Sequence, residues 1–230
     1  MKIFLCGGGS GKTVKSAILK FGEVIDKSKP LLYVPLTMNE EEYASCLKWI
    51  IKEMTLINVK KIEMVTSGYE LSQKNLNEYC AIYIGGGNTY KLLKEIKDSG
   101  SFAKIKDYLI HDGVVFGGSA GAIIFGKDID SCKIQDANTV NLKDTSGFNV
   151  LSDWSLLCHL NRNDKLEFDR EKNSKYLLSF SKKNKTIYLP EDDTIYVTEK
   201  EAMLIGHSSY RVYKNGKYQT VKVSNKNLVL

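Results

Sequence analysis

The sequence predicts an α/β protein whose mostly parallel sheet is flanked by helices on both faces. Over roughly the first 125 residues, short and mostly apolar runs alternate with segments that carry apolar residues at helical spacing. Several of these runs end in glycine-rich turns that open the next helix, which is typical of parallel strands joined by helices. A chain of 230 residues is long enough to bury one substantial core, so we expect a single domain over residues 1–230.

In the first half, a strand over residues 2–5 ends in a glycine turn, and helical spacing follows over residues 13–25. The same alternation predicts strands at 31–36, 61–65, 81–84 and 114–116 and helices at 41–54, 90–97 and 102–111. After about residue 125 loops dominate, with a predicted helix at 165–180 and strand-like runs at 186–189, 194–197, 202–205 and 210–213. Residues 214–217 have the composition of a hairpin turn.

Composition indicates a soluble protein, with 43% hydrophobic and 26% charged residues. The first apolar run is too short for a signal peptide, and no run approaches the roughly 20 apolar residues of a membrane span. We therefore expect a cytoplasmic protein. The net charge of +6 comes from scattered lysines, which favours a solvated surface over a nucleic-acid site. The five cysteines contain no CxxC pair, so we expect reduced thiols, no metal site and no cofactor.

The most informative motif is GGSAG at residues 117–121, which directly follows a predicted strand. A serine in a sharp strand-to-helix turn is a nucleophile elbow, and small neighbours are needed because bulkier ones collide with the strand and helix backbone. The turn also places the Ala120 N–H at a helix N-terminus, where it can donate to an oxyanion. We predict Ser119 as a nucleophile.

A serine nucleophile needs a base, and the chain has three histidines. His111 ends a predicted helix at the amino end of the Ser119 strand, so it is expected a strand length from Ser119. His207 follows a strand-like run and stays as an alternative. His159 lies where an apolar run breaks into a polar one, a strand end of the kind that carries catalytic residues, so it is the preferred base.

A carboxylate should orient the histidine, and the residues alone do not choose among the candidates. These are Asp128, Asp130, Asp136, Glu191, Asp192 and Asp193. A second glycine turn, GGGNT at residues 85–89, ends the preceding strand and is expected to supply the second oxyanion donor.

The first glycine turn resembles a phosphate-binding loop, because residues 7–13 read GGGSGKT. Its spacing fails, since Cys6 stands where a Walker A loop needs glycine. Anion binding at this helix start, and with it a nucleotide-dependent enzyme, remains an alternative.

These motifs together resemble the peptidase E family of serine peptidases, which includes aspartyl dipeptidases and is related to cyanophycinase. The resemblance is carried by IGGGNTYKLL at residues 84–93 and GGSAGA at residues 117–122, with a weaker match at LPED, residues 189–192. It implies a flavodoxin-like sheet similar to that of class I glutamine amidotransferases, with serine in place of their cysteine. It also implies a Ser-His-acid triad without metal.

The resemblance implies roles for five residues, carried over by position: the nucleophile Ser119, the base His159, the acid Asp136, and the oxyanion donors Gly87 and Ala120. Asp130 and Glu191 are the alternatives for the acid. The aspartyl dipeptidases have an arginine after the elbow that binds the substrate aspartate, and the matching residues 127–133 contain none. Asn88 and Lys133 are the expected substrate contacts, with Lys127 as the alternative cation, although lysine does not reproduce bidentate recognition of a carboxylate.

The predicted function is hydrolysis of short peptides, of the dipeptidase type, through an acyl-enzyme. An esterase or another amidase with the same triad is one alternative. A non-catalytic binding protein on this fold is the other. We expect a short peptide as the partner, with no nucleic acid and no membrane, and a homodimer is compatible with the sequence.

Overall fold

The computed structural model describes residues 1–161, 167–222 and 228 and has the predicted α/β architecture. Its strands are β1 (Lys2–Cys6), β2 (Leu31–Val34), β3 (Ile62–Met64), β4 (Ala81–Ile84), β5 (Val114–Gly118), β6 (Trp154–Leu157), β7 (Lys185–Tyr188), β8 (Thr194–Thr198), β9 (Ala202–Ile205), β10 (Tyr210–Lys214) and β11 (Lys217–Val221). Its α-helices are α1 (Lys15–Val24), α2 (Tyr43–Thr55), α3 (Gly68–Gln73), α4 (Thr89–Asp98), α5 (Ser101–Ile110), α6 (Ala120–Ile123) and α7 (Glu167–Phe180).

The larger sheet has seven strands in the order β3-β2-β4-β5-β1-β8-β9. The first five strands of the chain are parallel, because helices connect each of them to the next. β8 and β9 extend this sheet in antiparallel pairing next to β1. The prediction of a mostly parallel sheet flanked by helices is confirmed.

The second half of the chain also forms a smaller sheet, in the order β11-β10-β7-β6. The sequence predicts strands close to β7 and β10 but gives no indication that they leave the main sheet. The predicted turn at residues 214–217 joins β10 to β11, and positive φ angles at Asn215 and Gly216 are those that such a hairpin requires. The structure adds α3, a short helix capped by the Ser67 side chain, which the sequence analysis does not predict.

The two faces of the main sheet bury separate apolar clusters. Successive residues of β1 point to opposite faces, so Ile3 and Leu5 belong to one cluster and Phe4 belongs to the other. On the second face, Phe4 packs between Phe21 of α1 and Phe116 of β5, with ring centroids 5.5 and 5.8 Å away. This packing fixes the relative positions of β1 and β5, the two central strands that carry the site.

Three glycine turns meet at one edge of the sheet because β1, β4 and β5 end side by side. Cys6 pairs with Gly118, and Ile84 pairs with Gly117. The turns after β1, β4 and β5 therefore lie in contact at the carboxyl ends of parallel strands, where open α/β sheets bind ligands.

The predicted helix at 165–180 is observed as α7, and residues 162–166 at its predicted start lie outside the described part of the chain. Among the helices of the described residues, none combines the length and the apolar character that crossing a membrane requires.

Candidate active site

Ser119 lies between β5 and α6 in a strained conformation, with φ 53° and ψ −115°. Its backbone N–H donates to the Cys6 carbonyl at 3.1 Å, which ties the turn to the end of β1. The glycines around it permit close contact, since a Cβ at Gly117 would lie 2.2 Å from the Gly121 carbonyl oxygen. This is the strand, sharp turn and helix of a nucleophile elbow, as the GGSAG motif predicts.

His159 faces Ser119 across the end of the sheet. Its Nε2 lies 2.7 Å from the Ser119 Oγ, within hydrogen-bonding distance. The residue follows β6 with a positive φ of 70°, and its backbone N–H donates to the Gly7 carbonyl at 3.1 Å. The break of the apolar run at residue 159, seen in the sequence, is the point where the chain leaves β6 and turns the imidazole toward the elbow.

The other imidazole nitrogen, His159 Nδ1, lies 2.7 Å from Oε1 of Glu191. Glu191 is held in turn, because its backbone N–H donates to the Asn161 side-chain oxygen at 2.8 Å. The exposed fractions of the two side chains are 17% for His159 and 30% for Glu191, so water screens their interaction only partly. The result is a continuous chain of hydrogen bonds from a carboxylate through an imidazole to a serine hydroxyl.

The assignment of the acid to Asp136 needs correction. The Asp136 carboxylate accepts hydrogen bonds from the Thr89 N–H at 2.8 Å and the Thr89 hydroxyl at 2.5 Å. It thereby caps the N-terminus of α4, where a negative charge is favourable, and it makes no hydrogen bond to His159. Asp130 is also engaged elsewhere, since it accepts from the Tyr90 hydroxyl at 2.7 Å. The carboxylate that meets the imidazole is Glu191, one of the two alternatives.

The two other histidines do not contact Ser119. His111 is exposed at the end of α5, where its Nδ1 lies 2.9 Å from the Asp107 carbonyl oxygen. His207 follows β9, and its backbone N–H donates to Asp193 at 2.9 Å. His159 is therefore the histidine that the structure brings to the elbow.

The predicted oxyanion donors flank the Ser119 hydroxyl. Ala120 is the first residue of α6, so its N–H has no partner within the helix. Gly87 lines the same pocket as Ser119, and the preceding Gly86 is so near that a Cβ there would lie 3.2 Å from the Ser119 Cβ. In the described part of the chain, neither the Gly87 nor the Ala120 N–H donates to a protein acceptor. This arrangement is compatible with an oxyanion hole.

The turn after β1 is packed against the same histidine and acid. The N–H groups of Gly7 and Gly9 donate to the carbonyls of Asp193 and Glu191 at 2.9 and 2.8 Å. A Cβ at Gly8 would lie 2.2 Å from Cε1 of His159. A phosphate-binding loop needs free N–H groups that converge on the anion, whereas here the Gly7 and Gly9 N–H groups are bonded to the protein and His159 packs against Gly8. The nucleotide alternative is therefore not supported.

One pocket of about 500 Å³ opens beside Ser119 and His159. We call it the arginine pocket, because Arg170 of α7 contributes a cation to its wall. Its polar floor is ordered by the buried Asn173, which donates to the Tyr188 hydroxyl at 3.2 Å, and by Gln135, which donates to the Cys158 carbonyl at 3.1 Å. Arg170 is not among the predicted site residues, because the resemblance implies a cation directly after the elbow, whereas this arginine lies on a later helix.

The two predicted substrate contacts are not part of this pocket lining. Asn88 caps α4 by accepting from the Lys91 N–H at 2.9 Å, and its amide donates to the Ala137 carbonyl at 2.9 Å. Lys133 is exposed at the surface. The lining of this pocket includes neither residue, and its charged side chains besides His159 are Arg170 and Asp136.

The cysteines are all free thiols. Cys158, next to His159, is buried, and burial raises the pKa of its thiol. Within residues 1–161, 167–222 and 228, no three side chains of His, Cys, Asp or Glu form a group that would hold a metal ion.

Comparison with known proteins places these observations in a family. The model of peptidase family S51 matches residues 3–205. Peptidase E of Salmonella arizonae is 28% identical over 189 residues, covering 80% of this chain and 78% of that protein. An uncharacterized peptidase of Listeria monocytogenes serovar 1/2a is 25% identical over 182 residues, covering 77% and 86% respectively.

The fold is likewise shared with a solved structure. The crystal structure of a peptidase from an acI-B1 Actinobacterium matches with a TM-score of 0.73 and 16% identity, over 97% of this chain and 95% of that one. The resemblance noted in the sequence is thus confirmed: the chain belongs to peptidase family S51 and is a serine-type peptidase.

Proposed function

We propose that the chain hydrolyses short peptides by forming an acyl-enzyme on Ser119, with His159 as the base and Glu191 as the acid of the triad. The observation that carries this proposal is the pair of 2.7 Å contacts that link Glu191, His159 and Ser119. A serine hydroxyl at its ordinary pKa is a weak nucleophile, and a base within hydrogen-bonding distance is what activates it.

In the proposed reaction, His159 accepts the Ser119 proton while the hydroxyl oxygen attacks the peptide carbonyl carbon. The carbonyl oxygen becomes an oxyanion that accepts hydrogen bonds from the N–H groups of Gly87 and Ala120. Glu191 stabilises the imidazolium form of His159, which then donates its proton to the leaving amine as the carbon–nitrogen bond breaks. Water, deprotonated by His159, attacks the acyl-enzyme and releases the acid product.

The arginine pocket supports a substrate with an acidic group. Arg170 lines the pocket, and its planar guanidinium matches the geometry of a carboxylate. A volume of about 500 Å³ accommodates one amino-acid side chain and the adjoining backbone rather than a folded protein. We therefore propose dipeptides or similarly short peptides with an aspartyl or glutamyl side chain as substrates.

Labelling with a fluorophosphonate probe tests activation of the serine. We expect intact mass and peptide mapping to find the probe on Ser119, and Ser119→Ala, His159→Ala and Glu191→Gln to abolish or strongly slow labelling. Ser10→Ala, at an exposed serine in the first glycine turn, is the matched control and should label like the unmodified protein. A folded protein that is inert to several such probes would overturn the proposal and favour a binding protein.

A direct comparison of two carboxylates tests the identity of the acid. Glu191→Gln should lower kcat by several orders of magnitude, as loss of the orienting carboxylate does in other triads. Asp136→Asn should act mainly on stability through the α4 cap, by roughly 0.5–2 kcal/mol. The opposite ranking of the two variants in kcat would assign the role to Asp136.

A panel of dipeptides tests the substrate class. The kcat/KM should be highest for an N-terminal aspartyl or glutamyl residue, and Arg170→Gln should remove that preference while sparing neutral dipeptides. An unchanged preference in Arg170→Gln would rule out this role of the arginine. The cytoplasmic location, the single domain over residues 1–230 and the homodimer stay predictions from the sequence.

A further inference from the structure

A second pocket opens beside Ser119 from the other direction. It has a volume of about 420 Å³ and shares Met38, Gly86 and Ser119 with the arginine pocket. Its remaining lining comes from the three glycine turns and from side chains of β2, α2 and β4. We call it the aromatic pocket, because Tyr33, Trp49 and Tyr83 form its largest surfaces.

The three aromatic rings hold each other in fixed orientations. The Trp49 and Tyr83 rings meet edge to face, with centroids 5.8 Å apart and an interplanar angle of 72°. The Tyr33 and Tyr83 rings meet similarly, at 5.9 Å and 63°. Such arrangements are favourable for aromatic pairs. The walls of the pocket are therefore preorganised before a ligand enters.

Two of the glycine turns lie next to the tyrosine hydroxyls of this pocket. A Cβ at Gly118 would lie 3.5 Å from the Tyr83 hydroxyl, and a Cβ at Gly85 would lie 3.5 Å from the Tyr33 hydroxyl. Both tyrosines are buried, with 4% and 3% of their surfaces exposed. Within the described residues, the Tyr83 hydroxyl has no hydrogen-bond partner. A polar group of a bound ligand could therefore form a hydrogen bond with this hydroxyl.

The chemistry of the lining restricts the ligand. The pocket is lined by aromatic rings, Met38, Cys46, Ser45 and glycines, and none of its lining residues is charged. A charged side chain would lose its hydration here without gaining an ionic partner, which is unfavourable. An apolar or aromatic side chain loses little and gains contact with the rings.

We propose that the aromatic pocket binds an apolar or aromatic side chain of the substrate, from the residue on the opposite side of the scissile bond from the one in the arginine pocket. The inference rests on the proposed function, because it assumes that a peptide carbonyl sits at Ser119. The two pockets adjoin at Ser119, so a peptide held there extends one residue into each. The preferred substrate then pairs an acidic residue with an apolar one.

Dipeptides with aspartate fixed as the first residue test this proposal. With glycine, leucine, phenylalanine or lysine as the second residue, we expect kcat/KM to be at least about 10-fold higher for phenylalanine than for glycine, and lowest for lysine. Trp49→Ala should reduce the phenylalanine-to-glycine ratio of kcat/KM to about 2 or less. Ile51→Ala, at an exposed residue on the same helix, is the control and should keep the ratio.

A second variant keeps the test decisive if Trp49→Ala does not fold. Cys46→Met enlarges a half-buried side chain of the pocket wall and should selectively slow the phenylalanine substrate. A preference that is absent in the unmodified protein, or that survives both substitutions, would overturn the proposal.

Binding to Ser119→Ala separates failure of this proposal from failure of the proposed function. Aspartyl-phenylalanine should bind this variant about 10-fold more tightly than aspartyl-glycine, measured by calorimetry, and Trp49→Ala should abolish the difference. If the probe never labels Ser119 but this difference is present, the peptidase mechanism fails and the pocket assignment stands. If Ser119 is labelled and aspartyl-glycine binds equally well, the pocket assignment fails alone.

Discussion

The turns after β1 and β4 each contain three consecutive glycines, yet different parts of the molecule pack against them. In the turn at residues 7–9, the backbone lies against other parts of the protein, namely the His159 ring and the chain at Pro190 and Glu191. In the turn at residues 85–87, Gly86 lies against Ser119, and the N–H of Gly87 has no protein acceptor in the described chain. Both turns line the aromatic pocket, but the first packs against the base and the acid, whereas the second lies against the nucleophile.

The difference between the two turns shows what can be inferred from a run of glycines in a sequence. It indicates that something approaches the backbone closely, because a Cβ would occupy the same space. It does not say whether the approaching group is a ligand or another segment of the protein. The sequence of the first turn suggested a phosphate, whereas in the structure the His159 ring and the backbone at Glu191 lie against its glycines.

The largest effect expected from this comparison is that of Gly8→Ala. Gly8 has a φ of 120°, and the new Cβ would overlap the His159 ring at 2.2 Å from Cε1. A shift of the imidazole by about 1 Å is enough to lower kcat by roughly 100-fold. Steady-state kinetics with the best dipeptide would measure it, with thermal unfolding to show that the variant folds. Activity within twofold of the unmodified protein would mean that the turn does not position His159.

In the second turn, Gly87→Ala should have a smaller effect, about 10-fold on kcat. The residue has a φ of 110°, and a Cβ would lie 1.9 Å from the Thr37 hydroxyl oxygen, so the peptide carrying the proposed oxyanion donor must move. Thr37→Ser keeps the hydroxyl and serves as the control. Should Gly87→Ala change only KM, the turn would contact the substrate without stabilising the oxyanion.

Much of this site follows from the sequence because it lies in local motifs. The elbow at Ser119 depends on a strand, small residues and a helix in immediate succession, and each of these is visible in the chain. His159 was identified because there are few histidines and only one breaks an apolar run at a strand end. These features need no knowledge of distant contacts.

The remaining residues depend on contacts between distant segments. Glu191 meets His159 only because the chain after β7 returns to the end of β6, a pairing that spacing does not encode. Asp136 has the same side-chain chemistry, but its loop lies at the start of α4. Arg170 comes from the helix that connects β6 to β7 within the smaller sheet, and the existence of that sheet was itself not predicted.

The free energy of unfolding should depend on pH through Asp193, which contacts the first turn and not the second. Its backbone carbonyl accepts from Gly7, its side chain is buried, and its Oδ2 has no hydrogen-bond partner among the described residues. Burial raises the pKa of this carboxyl from 3.8 to about 6, against the opposing effect of the Ser208 and His207 N–H groups. The folded state thus favours the protonated form.

The sign of the stability effect follows from this shift. The stabilisation from protonated Asp193 is fully present below about pH 4 and is lost as the pH rises through about 6. Asp193→Asn lacks this dependence, so its free energy of unfolding relative to the unmodified protein should rise between pH 4 and pH 7. Urea unfolding at several pH values would measure it. Parallel curves for the two proteins would show that Asp193 does not titrate in this range.

The smallest effect should come from Gly11→Ala, just beyond the first turn. Gly11 has a φ of 58°, but the only atom near a new Cβ is the Glu53 Oε1 at 3.9 Å. We expect a loss of about 1 kcal/mol in the free energy of unfolding from the backbone conformation, with kcat unchanged. A large loss of kcat in this variant would extend the functional part of the turn to the segment that resembles a phosphate-binding loop.

The backbone of Ser119 has a consequence for how this protein evolves. A non-glycine residue at φ 53° and ψ −115° costs of order 1–3 kcal/mol, a sizeable share of the stability of a domain. Ser119→Gly should therefore yield a more stable protein that has lost its reactive hydroxyl. Selection for stability alone would favour that single change, so keeping the serine at this position requires continued selection for activity.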